Sequence, residues 1–102
     1  MSDPTPEATS EVEREDGGTR RRYVIRRPEG EAELTLSVLS PERVIADHTF
    51  VPAPLRGQGL AQALLAALLD DARAQGFTIV PLCPFVAGEA RRHPDWASLF
   101  AT

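Results

Sequence analysis

The stretch that decides the fold of this chain is His48-Thr-Phe-Val-Pro-Ala-Pro-Leu-Arg-Gly-Gln-Gly-Leu-Ala61. The residues that lead into it, Arg43–Val51, alternate and are rich in β-branched side chains, which predicts a strand. The residues that leave it, from Leu60 onward, are rich in leucine and alanine at helical spacing. Between the two, Arg56-Gly57-Gln58-Gly59 places flexible backbone where the helix must begin. Because the first N–H groups of a helix lack internal partners and carry the positive end of its dipole, this turn predicts a site for phosphate or pyrophosphate.

The turn fits none of the common nucleotide motifs. It has no lysine of the kind a P-loop needs, and it lacks the three-glycine spacing of a dinucleotide-binding fingerprint. Arg56, beside the two glycines, is interpreted as the phosphate partner, with an ordinary surface charge as the alternative.

The rest of the chain predicts one small α+β domain, a three-layer α/β arrangement around a mixed sheet of about four strands. Pro28–Gly30 and Ser40–Glu42 read as turns that make the first three strands an antiparallel meander. The last strand should run parallel to the third through a right-handed helical crossover, and its apolar sequence predicts cover on both faces. The predicted β-β-β-α-β-α order comprises strands Arg20–Arg27, Ala32–Leu39 and Arg43–Val51, helix Gly59–Gln75, strand Phe77–Cys83 and helix Phe85–Arg92, then a short helical end at Asp95–Phe100.

Residues 1–19 are predicted to be a disordered acidic tail, and residues 20–102 the domain. The first nineteen residues hold six acidic side chains and one arginine, a net charge of −5, whereas the whole chain has a formal charge of −4. Such a segment has too little apolar surface to offset its ordering entropy. The net negative charge of the chain is therefore expected to come from the tail, and it indicates little about what the domain binds.

Composition narrows the function classes. We find neither an apolar run of membrane-spanning length nor a hydrophobic signal core at the N-terminus, so we expect a cytoplasmic protein with no membrane partner. Cys83 is the only cysteine, and His48 and His93 are the only histidines, which disfavours a disulfide and a zinc site. The arginine run Arg20–Arg22 has no aromatic stripe beside it, which disfavours nucleic-acid binding.

The central motif resembles the acyl-CoA signature [RQ]-x-x-G-x-[GA] of the GNAT acyltransferase superfamily, filled here by Arg56-Gly57-Gln58-Gly59-Leu60-Ala61. Its flanks, among them His48-Thr49 and Val80-Pro81-Leu82-Cys83-Pro84-Phe85-Val86, are similar to the small single-domain GNAT-like family often labelled YjdJ-type. The resemblance runs from about Tyr23 to Trp96. It implies a truncated GNAT fold without the last two strands of the superfamily.

The same resemblance implies an N-acetyltransferase that takes acetyl-CoA as co-substrate, uses no metal, and acts on an unidentified amine. The pyrophosphate would lie on Arg56–Ala61, and the pantetheine would run along the backbone of Phe50 and Val51. Without the last two strands, much of the usual acceptor site would be either absent or supplied by a second copy of the chain in a homodimer. The implied cofactor-binding residues are Phe50, Val51, Arg56, Gly57, Gln58, Gly59, Leu60 and Ala61.

Two side chains are candidates for catalysis near the thioester. His48 is a candidate general base, because imidazole exchanges protons near neutral pH, or else a core histidine on the same strand face as Val44 and Ala46. Cys83 is a candidate nucleophile or positioned thiol, or else a packed small hydrophobe at a strand end.

The chain departs from the family pattern at two positions. Relatives usually carry glutamate where this chain has Phe50, and tyrosine where it has Glu89; its one tyrosine, Tyr23, lies in the first predicted strand. These departures keep a second function open, a non-catalytic CoA- or acyl-CoA-binding module that serves as a sensor or partner domain. An anion-binding fold unrelated to CoA is a third.

Overall fold

The computed structural model describes residues 11–101. They form a five-stranded sheet and two α-helices, joined by short turns. The elements in chain order are β1 (Glu13–Asp16), β2 (Arg20–Arg27), β3 (Gly30–Ser40), β4 (Arg43–Phe50), a 3-10 turn (Ala53–Leu55), α1 (Leu60–Gln75), β5 (Thr78–Pro81), α2 (Pro84–Arg92) and a C-terminal 3-10 helix (Pro94–Leu99).

The strands follow one another across the sheet in the order β1-β2-β3-β4-β5. The first four pair antiparallel, and β4 pairs with β5 in parallel because α1 carries the chain back over the sheet. The predicted mixed sheet, the α+β class and the crossover through the glycine-rich turn are thereby confirmed. The sheet has one more strand than predicted.

That extra strand, β1, lies inside the segment predicted to be a disordered tail, so the prediction is wrong for this part of it. Val12 is 6% exposed in the core, and β1 pairs with β2 over four residues. The acidic side chains that suggested a solvated tail instead face arginines of β2, such as Glu15 opposite Arg22, and opposite charges across strands stabilise pairing. Residues 1–10 of the predicted tail lie outside the described residues.

Helix α1 supplies one side of the core. Its leucine and alanine stripe faces the sheet, with Leu64 and Leu68 fully buried against β2 and β3. The helix ends as predicted at Gly76, whose φ of 78° is the left-handed conformation that glycine adopts readily.

Within residues 11–101 both α-helices pack on one face of the sheet, which we call the inner face. Val86 of α2 belongs to the same core cluster as the α1 leucines. The predicted three-layer arrangement, with β5 covered on both faces, is therefore corrected to two layers. Charged side chains shield the other, outer face: Val24 is 0% exposed between Arg22 and Arg26 on its own strand and Glu13 and Glu33 on the neighbouring strands.

Neither helix of the described chain is long and apolar enough to cross a membrane.

Candidate functional site

The first turn of α1 presents backbone N–H groups without side-chain partners. Gly57 and Gly59 have φ angles of 82° and 77°, in the left-handed region, and Gly59 is the residue that caps the helix. The first intrahelical bond runs from the Ala63 N–H to the Gly59 carbonyl at 3.0 Å, so the N–H groups of Leu60 and Ala61 lie ahead of the hydrogen-bond ladder. In the described chain no side chain caps this end of the helix. The arrangement is suited to an anion.

A cavity of about 440 Å³ opens beside this turn. It extends from Val51, just past the end of β4, through Gly57 and Gly59 to Gln62 in the first turn of α1. A Cβ atom built on either glycine would meet nothing within 4 Å, so both residues border open space. The cavity thus lies next to the electropositive start of the helix and is large enough for a ligand of moderate size.

Arg56 lines the same cavity but is folded back over it. Its Nε donates a hydrogen bond to the carbonyl of Val51 at 3.1 Å. This bond uses one of the five N–H groups of the guanidinium. Arg56, the residue predicted to contact phosphate, therefore lies at the cavity, where its side chain donates to the Val51 carbonyl.

Strand β4 contains a bulge that decides where its side chains point. Thr35 of β3 lies opposite His48, whereas the next residue, Leu36, lies opposite Ala46, so Asp47 is an extra residue in β4. The bulge shifts the alternation by one residue. It turns His48 to the outer face and Thr49, opposite the buried Leu34, to the inner face.

The bulge corrects the expectation that His48 shares a face with Val44 and Ala46. His48 is exposed beside Thr35, whose hydroxyl donates to the His48 carbonyl at 3.4 Å, so the interpretation as a core histidine is wrong. Phe50 is on the outer face too, with 45% of its surface exposed. The histidine is free to meet a molecule that approaches from the outer side.

Cys83 lies on the other side of the sheet. It is 3% exposed, precedes α2 as its N-cap residue, and its Sγ lies 3.3 Å from the hydroxyl of Thr49. Cys83 and His48, the two residues predicted to be catalytic, therefore occupy opposite faces of β4. Thr49 is a neighbour of the thiol that sequence reasoning missed, since without the bulge it would face away from the core.

The pairing of the two parallel strands ends next to these residues. Their register runs from Arg43 opposite Thr78 to Ala46 opposite Pro81, and the bond from the Cys83 N–H to the Ala46 carbonyl at 2.8 Å ends the pairing. β4 continues to Phe50, whereas the chain after β5 turns into α2. The pairing therefore stops before β4 ends, and beyond it His48 lies on the outer face and Cys83 on the inner face.

Tyr23, the one tyrosine, is held away from both residues. Its hydroxyl donates to Asp71 of α1 at 2.8 Å, and Arg14 of β1 donates to the same carboxylate through two nitrogens at 2.8 and 3.1 Å. Burial and the hydrogen bond to Asp71 raise the pKa of the Tyr23 phenol well above its usual value. This cluster joins β1 and β2 to α1, and Asp71, predicted to be exposed, has a largely buried side chain.

Together these features define a class of protein. In this mixed sheet a glycine-rich turn follows the end of a parallel strand and leads into a helix without a side-chain cap, an arrangement that is suited to a phosphate-bearing ligand.

Comparison with known proteins identifies the family. The sequence pattern of the GCN5-related N-acetyl-transferase family matches residues 22–99, and the chain belongs to this family. Its fold is similar to the NMR solution structure of a "GCN5-like putative N-acetyltransferase" from Staphylococcus aureus, with a TM-score of 0.65 and 24% sequence identity over 90% of each chain. The predicted GNAT-like family and fold are both confirmed.

Proposed function

We propose that this protein binds acetyl-CoA at the glycine-rich turn and transfers the acetyl group to an amine. The observation that carries the proposal is the uncapped α1 N-terminus, opened by two glycines with positive φ onto a cavity of about 440 Å³. In this reading the pyrophosphate accepts hydrogen bonds from the N–H groups of Gly57–Ala61, supported by the helix dipole.

The pantetheine would extend from the pyrophosphate toward the end of β4, along Phe50 and Val51. An extended chain with amide groups can add to an open strand edge by backbone hydrogen bonds. The Val51 carbonyl accepts a hydrogen bond from Arg56. A pantetheine amide would replace that bond and release the guanidinium to pair with a phosphate.

The thioester would lie between the ends of β4 and β5. The amine nitrogen attacks the thioester carbonyl, His48 accepts its proton from the outer side, and the C–S bond breaks as the tetrahedral intermediate collapses. The departing CoA thiolate takes a proton from the Cys83 thiol on the inner side, and Cys83 regains one from solvent. His48, the proposed base, and Cys83, the proposed acid, lie on opposite faces of the sheet. This suits the reaction, because the amine and the departing thiolate occupy different positions around the thioester carbon.

A second function is favoured by one observation. Cys83 is 3% exposed and already in contact with Thr49, so its thiol has the surroundings of a packed core residue. Without a group to protonate the thiolate, the chain would bind CoA or acyl-CoA and serve as a sensor or partner module.

Calorimetric titration with acetyl-CoA and with CoA tests the binding step. We expect saturable binding to the unmodified protein. Gly59→Ala should lose about ten-fold or more in affinity, because alanine disfavours the positive-φ conformation of the turn by about 1–2 kcal/mol and its methyl group fills space that the phosphates need. Arg56→Ala should weaken binding as well. Arg73→Ala, which removes a charge near the opposite end of α1, is the matched control and should bind normally. Equal affinity in all four proteins would refute the proposed site.

Turnover separates the two functions. Release of free CoA thiol in the presence of a panel of primary amines, slowed about 100-fold by His48→Ala, would support the enzyme. Tight binding without release of CoA for any amine would support the binding module.

A further inference from the structure

A second cavity, of about 470 Å³, lies on the outer face of the sheet. It extends from Gly17, in the turn between β1 and β2, along Arg20 and Arg22 to Thr35 of β3. Thr35 lies directly opposite His48 in the pairing of β3 with β4. Because the Cα atoms of such opposite residues are about 5 Å apart, the cavity ends beside the proposed base.

The cavity has an excess of positive charge. Its lining carries a net charge of +1 from three arginines and two acidic residues, namely Arg20, Arg21, Arg22, Glu15 and Asp16. Arg22 pairs with Glu15 at 2.6 Å, and Arg21 lies 3.4 Å from Asp16. Arg20 is exposed and, within residues 11–101, makes no ion pair, in contrast to its two neighbours. One unmatched guanidinium suits a ligand with one carboxylate.

A carboxylate of the protein lies across the sheet from this guanidinium. Arg20 is opposite Ser37 in the register of β2 and β3, and the Ser37 hydroxyl donates to Oδ2 of Asp47 at 2.7 Å. Asp47 therefore reaches the outer face, next to His48. Neighbouring strands are about 4.8 Å apart, so about 10 Å of sheet separates β2 from β4. A ligand that spans this distance meets a cation at one end, and an anion beside the proposed base at the other.

We infer that this outer-face cavity is the acceptor subsite, and that the acceptor is a primary amine with a carboxylate several bonds from its nitrogen, as in an ω-amino acid. The inference rests on the proposed function, because it takes His48 as the base that receives the proton of the amine. Arg20 binds the carboxylate through two parallel hydrogen bonds, and Asp47 attracts the ammonium group toward His48. The carboxylate improves KM rather than kcat, since it lies away from the reacting atoms.

Matched acceptors test the inference on the unmodified protein at saturating acetyl-CoA. The compounds 6-aminohexanoate and 6-aminohexanol share the amine and the chain length and differ in the carboxylate. Release of CoA thiol measures transfer to each. We expect kcat/KM to be about ten-fold or more higher for the acid, mainly through KM, because only the acid forms charge-assisted hydrogen bonds with Arg20. Equal values for the two amines would overturn the inference.

Arginine variants locate the preference. Arg20→Met removes the charge and keeps an unbranched side chain, and Arg43→Met makes the same change at an exposed arginine outside the cavity. We expect Arg20→Met to lower kcat/KM for 6-aminohexanoate about ten-fold and to leave that for 6-aminohexanol unchanged. Arg20→Lys should restore part of the preference, since lysine keeps the charge without the bidentate geometry. Equal losses in Arg20→Met and Arg43→Met would assign the preference to the overall charge of the protein and refute the subsite.

A binding measurement separates the inference from the proposed function. Calorimetric titration of the CoA-saturated protein with 6-aminohexanoate needs no turnover. If both amines react equally in the unmodified protein and in Arg20→Met, the acceptor subsite is refuted and the acetyl transfer stands. If the acid binds only when Arg20 is present but no CoA is released from acetyl-CoA, the acceptor role and the acetyl transfer are refuted, and the cavity is a carboxylate site of the binding module. If the acid neither binds nor reacts, the inference is refuted whatever the affinity for CoA.

Discussion

The two faces of the sheet are built from the same strands but are shielded from water by different means. On the inner face, Leu34, Leu36 and Val44 are at most 1% exposed beneath the helices. On the outer face, Arg22 and Arg26 form ion pairs with glutamates of both neighbouring strands, including Arg22 to Glu15 and to Glu33 at 2.6 Å. The inner face is stabilised by removing apolar area from water, whereas the outer face relies on solvated charge pairs, each of which contributes little.

The proposed function uses this contrast at the end of β4. The bulge at Asp47 sends His48 to the charged, open side and Thr49 to the packed side, where it meets Cys83. A group that must meet an incoming amine is useful on the open face. A group that must act on a bound, enclosed thioester is useful on the packed face.

The largest expected effect is on the inner face. Leu68→Ala should lower the free energy of unfolding by about 2–5 kcal/mol, because it leaves a cavity at a position that is 0% exposed. Leu39→Ala, at a position 59% exposed, is the control and should change it by about 0.5 kcal/mol or less. Urea denaturation measures both. Similar losses would mean that the burial of Leu68 beneath the inner face does not stabilise the fold as its exposure indicates.

The next effect concerns the division of roles between the faces. His48→Ala should lower kcat/KM for acetyl transfer about 100-fold, equivalent to about 2.7 kcal/mol, because the exposed imidazole is the proposed base. The affinity for CoA in calorimetry should not change, since His48 lies outside the turn proposed to bind the phosphates. A rate equal to that of the unmodified protein would assign the proton transfer to another group.

A smaller effect is expected at the cluster that ties β1 and β2 to α1. Asp71→Ala removes the acceptor of the Tyr23 hydroxyl and of Arg14, which should cost about 1–3 kcal/mol of stability. Asp70→Ala removes a neighbouring carboxylate whose side chain is 60% exposed, and should cost less than about 0.5 kcal/mol. Adding Tyr23→Phe to Asp71→Ala should recover part of the loss, because the orphaned hydroxyl is then absent. No recovery would show that the hydroxyl does not depend on this carboxylate.

The smallest effect is expected on the outer face. Hydrogen bonds from Arg22 and Arg26 lower the pKa of the Glu15 carboxyl below its ordinary value of 4.5. A carboxyl whose pKa is lowered in the folded state stabilises the protein at pH values above the ordinary pKa of that carboxyl. This contribution is lost as the pH falls through the folded-state pKa. Glu15→Gln should therefore flatten the acid side of the stability profile slightly. Because the pairs are exposed, the difference should shrink in high salt, and a difference that persists in high salt would contradict this account.

Much of the fold could be predicted from local signals. Arg20–Arg27 alternates strongly enough that the predicted strand and β2 coincide, and the helical spacing after Leu60 and the stop at Gly76 gave α1 within one residue. β1 escaped prediction because its partners lie in β2 and α1, beyond the reach of a compositional argument. The same charges that indicate a solvated tail in isolation stabilise a strand when arginines lie opposite them.

The candidate site also has one part that the sequence predicts and one part that it does not. The glycine-rich turn from Arg56 to Ala61 was identified from its residues alone, since positive φ angles and an uncapped helix start depend on only a few neighbouring positions. The relation of His48 to Cys83 could not be predicted. A bulge is a mismatch between two strands, and nothing in the alternation of β4 by itself reveals that Asp47 is extra.

The sequence by itself determined the crossover, the glycine-rich turn and the membership in an acyltransferase family, because each depends on short-range backbone preferences or on a contiguous motif. Only the tertiary structure decided that the sheet has a packed and an open face, and that His48 and Cys83 lie on opposite sides of the sheet. These facts depend on register and packing between segments that are distant in the chain. Shifting the register by one residue exchanges every side chain between the two faces, so small differences in pairing decide which groups can meet a substrate.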